Sequence, residues 1–288
     1  MVPLPEDGST LTGRDVVTHF LRREVKSIAY YEPLVHEDSD VEGVHQLRVS
    51  ARRLRSELRA MRSVLPSDPW VGLGEELQWV GSALGRLRDL DVLRDLFEHH
   101  VARGTELDQR IASTIARRRL KRRHEVIAVL ESERYGRIVR LLGRLSNHPR
   151  LGDVGHTLAS DLFLPPLWEA ACTYLDAVGD PYERRSDDAL HRVRIASKKC
   201  RYNFEIAALF IGDEARVVAN SLEAIQDILG QVHDRSVAVS FLDTLGLPEE
   251  ADLEVRRALR AEIGELRPQW VAHFADVRRG ILDVFGSD

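Results

Sequence analysis

The chain has 288 residues, 43% of them apolar and 30% charged, with a formal net charge of −5. So much apolar sequence supports a sizeable core and excludes a disordered chain. The acidic balance excludes a protein that coats nucleic acid through overall charge, and two cysteines, Cys172 and Cys200, are too few for a disulfide scaffold and read as free thiols.

Apolar positions recur at helical spacing along nearly the whole chain, without strand-like alternation, which predicts an all-α fold. The first eight residues lack the basic start and apolar run of a secretion signal, and no stretch approaches the roughly 20 apolar residues of a membrane span. The expected location is cytoplasmic, with no membrane partner. The first helix is expected over 15–31, with Val16, Val17, Phe20, Leu21 and Ile28 inward and His19, Arg22, Arg23 and Lys26 opposite. Pro33 and the polar residues 37–40 should end it, with Asp40 capping the next helix, which runs to the prolines at 66 and 69. Segments 73–101 and 106–145 follow. In the latter, the inward line Leu107, Ile111, Ile115, Val126, Val129 passes through Arg118 and Arg122. A solvated cavity between bundles, to which they would add cations, and a surface-bound loop or helix break both account for them. After a connector at 147–155 the plan repeats, with helices at 162–178, 189–210, 214–245 and 250–285 and Ser186 in the capping place of Asp40.

The second helix carries the chemistry. His45, Arg48, Arg52, Arg55, Arg59 and Arg62 share about 100° of arc on a helix of 3.6 residues per turn, while Leu47, Leu54, Leu58, Met61 and Leu65 form an apolar stripe on its other side. Such a helix is anchored by one face and presents a row of cations with the other. A solvated face would interleave acids with the arginines, but Glu57 projects away from the row. The pattern occurs again from His191, with Arg194, Lys198, Lys199 and Arg201; here Cys200 takes the apolar place of Leu54, and Glu205 stands where the first copy has Arg59. A second element is also doubled: Leu84-Gly85-Arg86-Leu87-Arg88-Asp89 matches Leu229-Gly230-Gln231-Val232-His233-Asp234. Duplication therefore gives one domain over 1–288 with halves at 10–148 and 156–286, each a bundle of about four helices. Both glycines are expected to mark close helix packing.

A doubled row of cations calls for a polyanion. Neither motif histidine has a second His one turn away, so no metal site is expected, and no cofactor. Two rivals stand beside anion binding: a phosphohydrolase or phosphotransferase using His45 or His191, which lacks a carboxylate cluster and a Walker-type loop, and single-stranded nucleic-acid binding, which wants aromatic stacking residues where aromatics are only 6%.

With both motifs in place, the chain resembles the CHAD family, the conserved histidine α-helical domains. The resemblance rests on residues 44–55 and 190–202 as the two signature helices, on the two following motifs, and covers essentially the whole chain. It implies an all-α fold of two pseudo-two-fold-related four-helix bundles that binds inorganic polyphosphate, without catalysis, along a basic surface or channel between them. Carried over position by position, the implied contacts are His45, Arg48, Arg52, Arg53, Arg55, His191, Arg194, Lys198, Lys199 and Arg201. Arg22, Lys26, Arg59, Arg88, Arg118 and Arg122 are possible additions. Family members often carry a triphosphatase domain with alternating glutamates; none precedes His45 in these 288 residues, so catalysis is not expected. Association with polyphosphate granules follows from the same resemblance, and a protein partner is left open.

Overall fold

In a computed structural model describing residues 8–37, 41–66, 68–183 and 186–286, the chain forms ten α-helices. The first half holds α1 (Gly13–Glu37), α2 (Val41–Ala60), α3 (Trp70–His100), α4 (Glu106–Leu130) and α5 (Glu133–Asn147). The second holds α6 (Ala159–Val178), α7 (Asp187–Ala207), α8 (Asp213–Asp243), α9 (Glu249–Leu266) and α10 (Trp270–Phe285).

Hydroxyl caps start several of these helices. Ser186 Oγ accepts from the Ala189 amide at 3.2 Å, as expected for α7, and Thr105 Oγ1 does the same for α4 from Asp108. Asp40, the expected cap of α2, lies outside the described residues. Three boundaries differ from the sequence reading. Pro33 does not end α1, which continues to Glu37 because Val35 is buried in the core. The segment 106–145 breaks in two at Glu131, where Ser132 caps α5 through the Tyr135 amide. The segment 250–285 breaks beside Pro268, which has no amide hydrogen to continue the ladder.

Those two breaks shape the molecule. They leave a four-helix core in each half, α1, α2, α3 and α5 in the first and α6, α7, α8 and α10 in the second. They also turn α4 and α9 toward the far ends of α3 and α8, where Leu93, Phe97, Ile111, Phe241, Leu242 and Leu259 form a third core. Glu262 of α9 ties this region together, bonded to His100 of α3 at 2.7 Å and to Arg235 of α8. The apolar stripe of α2 is inward throughout, with Leu47, Leu54, Leu58 and Met61 buried, and Cys200 is buried in the place of Leu54. Each such side chain contributes about 1.5–3 kcal/mol by leaving water.

The halves meet through equivalent parts, as a two-fold relation requires. The Gly13 amide donates to Thr157 O at 2.9 Å and the Ala159 amide to Leu11 O at 2.7 Å. Leu11 and Thr157, like Gly13 and Ala159, are 146 residues apart, the same offset as His45 and His191. A Cβ at Gly13 would stand 2.4 Å from Val154 O, so this reciprocal contact needs glycine there. Beyond it, α2 packs on α7 and α3 on α8.

Leu54 is wholly buried, whereas Val217 is 57% exposed on α8. We expect Leu54→Ala to cost about 2–5 kcal/mol through transfer and cavity effects, and Val217→Ala to stay within about 0.5 kcal/mol, as read by urea unfolding followed by circular dichroism.

Candidate functional site

The contact of α2 with α7 sets the two basic rows across one cleft of about 670 Å³. From α2 come His45, Arg48, Arg52 and Arg53; from α7 come Arg194, Lys198 and Arg201; α3 adds Arg88. The opposing acids, Asp89, Glu223, Asp227 and Asp234, are fewer than the cations and come from α3 and α8. Their placement matters more than their number. Among the described residues Arg48, Arg52, Arg88, Arg194 and Lys198 form no ion pair, whereas Glu223 is engaged by Arg201 at 2.9 Å. Hydrogen bonds are also unmet. His45 Nδ1 and the Nε atoms of Arg52, Arg53 and Arg194 are buried without a partner, as is Gln226 Nε2. Buried donors normally find acceptors, and those left unmet here lie on both walls of the cleft.

The glycines of the doubled motif serve this cleft rather than close helix packing. A Cβ at Gly85 would stand 3.5 Å from Arg48 Nε, and one at Gly230, on the cleft wall, would meet nothing within 4 Å. Neither packs closely against a neighbouring helix.

Comparison with known proteins agrees with this arrangement. The family model described as the CHAD domain matches residues 19–243. The chain belongs to the CHAD family. Its fold is similar to the crystal structure of the CHAD domain from the plant Ricinus communis, with a TM-score of 0.69, 25% identity, and coverage of 99% of this chain and 95% of that one. PptA from Streptomyces chartreusis shares the fold at 19% identity, with a TM-score of 0.64 over 94% of this chain and 99% of that one. Two uncharacterized proteins of Mycobacterium tuberculosis, from strains CDC 1551 and H37Rv, are 27% identical over 236 residues; the match takes in 78% of this chain and 44% of each relative. The chain thus spans about half the length of the curated relatives it matches.

Not every predicted contact of the CHAD domain reaches the cleft. His191 faces an adjoining pocket of about 250 Å³ with Asp188 and His233, joined to the cleft through Arg194, which lines both. Arg201 lines the cleft but is buried, and its charge is already met by Glu205 at 2.8 Å and Glu223. Glu205 also lies 3.7 Å from Arg53. Lys199 points to α6, where Glu169 holds it at 2.7 Å, and Arg55 donates to Gln78 at 2.8 Å in a separate pocket shared with Arg59. The additions from other helices fall away, apart from Arg88. Arg22 donates to Ser146 O at 3.1 Å on α5, and Lys26 is exposed on α1 outside the cleft lining. Arg118 donates to Thr244 at 3.0 Å and lies over the Phe241 ring, while Arg122 is paired with Glu125 at 2.7 Å. Both lie on the unbroken α4, with no loop or helix break there, and neither supplies a cation to the cleft. Sequence reasoning missed the wall residues Asp227 and Gln226; Asp89 and Asp234 were visible as the shared last residue of the doubled motif. Among the described residues no three His, Cys, Asp or Glu side chains converge to hold a metal, and no helix is long and apolar enough to cross a membrane.

Crowding of like charge leaves its mark on titration. Burial, then the charges of Arg194, Arg52 and Arg48, push the Lys198 ammonium down to about 7. Burial and Arg88 lower His45, and burial followed by Arg52 lowers Arg48. Asp89 moves up because burial disfavours its carboxylate. Since the folded Lys198 sheds its proton far below the range of an unfolded lysine, the unfolded chain binds more protons between about pH 7 and 10 and this group's contribution to stability rises with pH there. In a protein labelled with carbon-13 lysine, we expect one Cε resonance, missing from Lys198→Met, to titrate near pH 7.

Proposed function

We propose that this CHAD domain binds inorganic polyphosphate in the cleft between its two bundles and does no chemistry on it. The observation that carries the reading is the set of five unpaired cations, Arg48, Arg52 and Arg88 from one half and Arg194 and Lys198 from the other, facing one space with buried donors unmet. A linear phosphate polymer suits this set. It brings a negative charge and acceptor oxygens at each unit, and guanidinium groups take phosphate oxygens in pairs. From His45 to Arg53 the α2 helix rises about 12 Å, so one wall tracks several consecutive phosphates while the other clasps from the opposite side. Contacts of this kind add as multivalent binding and weaken with salt. A cytoplasmic domain with such a cleft would be held at polyphosphate granules.

The rival readings lack matching features. A phosphohydrolase or phosphotransferase wants a base or metal beside a nucleophile, and His45 stands among arginines instead. Single-stranded nucleic acid wants stacking surfaces, but the one aromatic ring on the cleft wall, Tyr202, already lies against Arg201.

Replacing Arg48, Arg52 and Arg194 together by Ala is expected to weaken binding of long-chain polyphosphate by about 100-fold or more, with an unchanged far-ultraviolet circular dichroism spectrum. Titration at matched ionic strength decides the ligand: tighter binding of single-stranded DNA than of polyphosphate overturns the assignment, and phosphate release over hours overturns the non-catalytic part. Bound phosphates restore the charge on Lys198, so affinity should fall as pH rises from 6 to 9. In Lys198→Arg, which keeps its charge throughout, that fall should flatten; an equally steep fall would exclude Lys198 as its source.

A further inference from the structure

The basic row of α2 does not end at the cleft. Arg55 donates to Gln78 of α3, and the Cβ of an alanine at Gly85 would touch Arg48. These two pairs fix an antiparallel register in which Gly81 lies opposite Arg52 and Gly74 opposite Arg59. No side chain fills the α3 side at either glycine: a Cβ at Gly74 or Gly81 would meet nothing within 4 Å. Further along α2 lies a second cavity of about 340 Å³ that Arg55, Arg59 and Arg62 line with Gly74. Glu75 is the carboxylate on its wall, yet among the described residues Arg59 and Arg62 form no ion pair. Burial, followed by the charge of Arg59, lowers the pKa of Arg55, as crowded cations without a counterion should.

The second half closes the corresponding path. Arg201, the equivalent of Arg55, is held by Glu205 and Glu223, which occupy the places of Arg59 and Gln78. Ala208 replaces Arg62, and Gln226 fills the place of Gly81.

We propose that the Arg55, Arg59 and Arg62 cavity is a second polyphosphate subsite, continuous with the cleft, which makes the binding track open at the α2 end and shut at the α7 end. The proposal rests on the polyphosphate reading of the cleft. It assigns long chains an additional grip that short ones lack, because Arg59 lies about 10 Å along the helix from Arg52, beyond a three-unit chain seated at Arg48 and Arg52.

Arg59 is exposed on α2, so Arg59→Ala together with Arg62→Ala leaves the core intact. Isothermal titration of this double variant with long-chain polyphosphate and with tripolyphosphate tests the subsite. We expect about a tenfold loss for the long chain and less than a twofold change for tripolyphosphate. Unchanged long-chain affinity, or equal loss for both ligands, overturns the subsite. So does a variant that loses binding of polyglutamate while keeping that of polyphosphate, which would make the cavity a site for acidic peptide. Failure of the underlying reading looks different: the unaltered protein would bind neither phosphate polymer.

Discussion

The burial and mutual repulsion of cations that form no ion pair among the described residues is the constraint on which this molecule is built. Arg48, Arg52, Arg88, Arg194 and Lys198 crowd one cleft, and the depressed titration of Lys198 and Arg48 records the cost of holding them there. Such a cluster is stable only if other parts of the fold hold its walls in place. Two four-helix cores and the third core at the ends of α3 and α8 do so, anchoring α2 and α7 by their apolar faces. The walls of the cleft are therefore fixed by apolar packing behind them rather than by the charges they carry.

Acids are numerous in the chain but held where they do not quench the cleft. Glu57 sits on the back of α2, fully buried, bonded to Arg23 of α1. Burial, opposed by Arg23 and assisted by Glu24, lifts it to about 8. Asp91, between the cleft-lining Asp89 and Val92 of α3, is instead buried against Arg119 of α4 at 2.8 Å. On α9, Asp252 and Glu262 are paired with Arg256 and Arg235. A protein of net charge −5 thus presents a cleft in which cations outnumber acids, because many of its carboxylates are paired or buried elsewhere.

Helical periodicity and the repeat made much of this legible before any coordinates. The inward faces of α1 and α2, the Ser186 cap and the basic rows are properties of neighbours in sequence, and angular spacing alone locates them. Legibility stopped where long-range pairing begins. Lys199 and Lys198 are adjacent in sequence, yet Glu169 of α6 takes one while the other faces the cleft. Arg118 and Arg122 were left between cavity and surface by pattern alone, and only Thr244, Phe241 and Glu125 decide them. The breaks at Glu131 and Pro268 had local signals, a capping serine and a proline, but uninterrupted apolar spacing masked them. Gly85 and Gly230 illustrate the same limit in reverse, since an absent side chain in a helix can admit a neighbouring helix or leave a void, and the sequence looks alike in both cases.

Duplication and divergence act on different properties here. The offset of 146 residues that relates Gly13 to Ala159 fixes backbone geometry, so the two basic helices must face each other wherever the axis passes between them. Charge is free to differ, since a surface position on α2 or α7 can change without disturbing the core behind it. The exchange of Arg59 for Glu205 uses that freedom, because the carboxylate turns inward along its own helix to Arg201 and reaches Arg53 on the facing one. One acid therefore neutralises an arginine of its own half and links the two walls at the same end of the cleft. Symmetry supplies two like walls, and the exchanges of Arg59 for Glu205 and of Gln78 for Glu223 make their far ends unlike in charge.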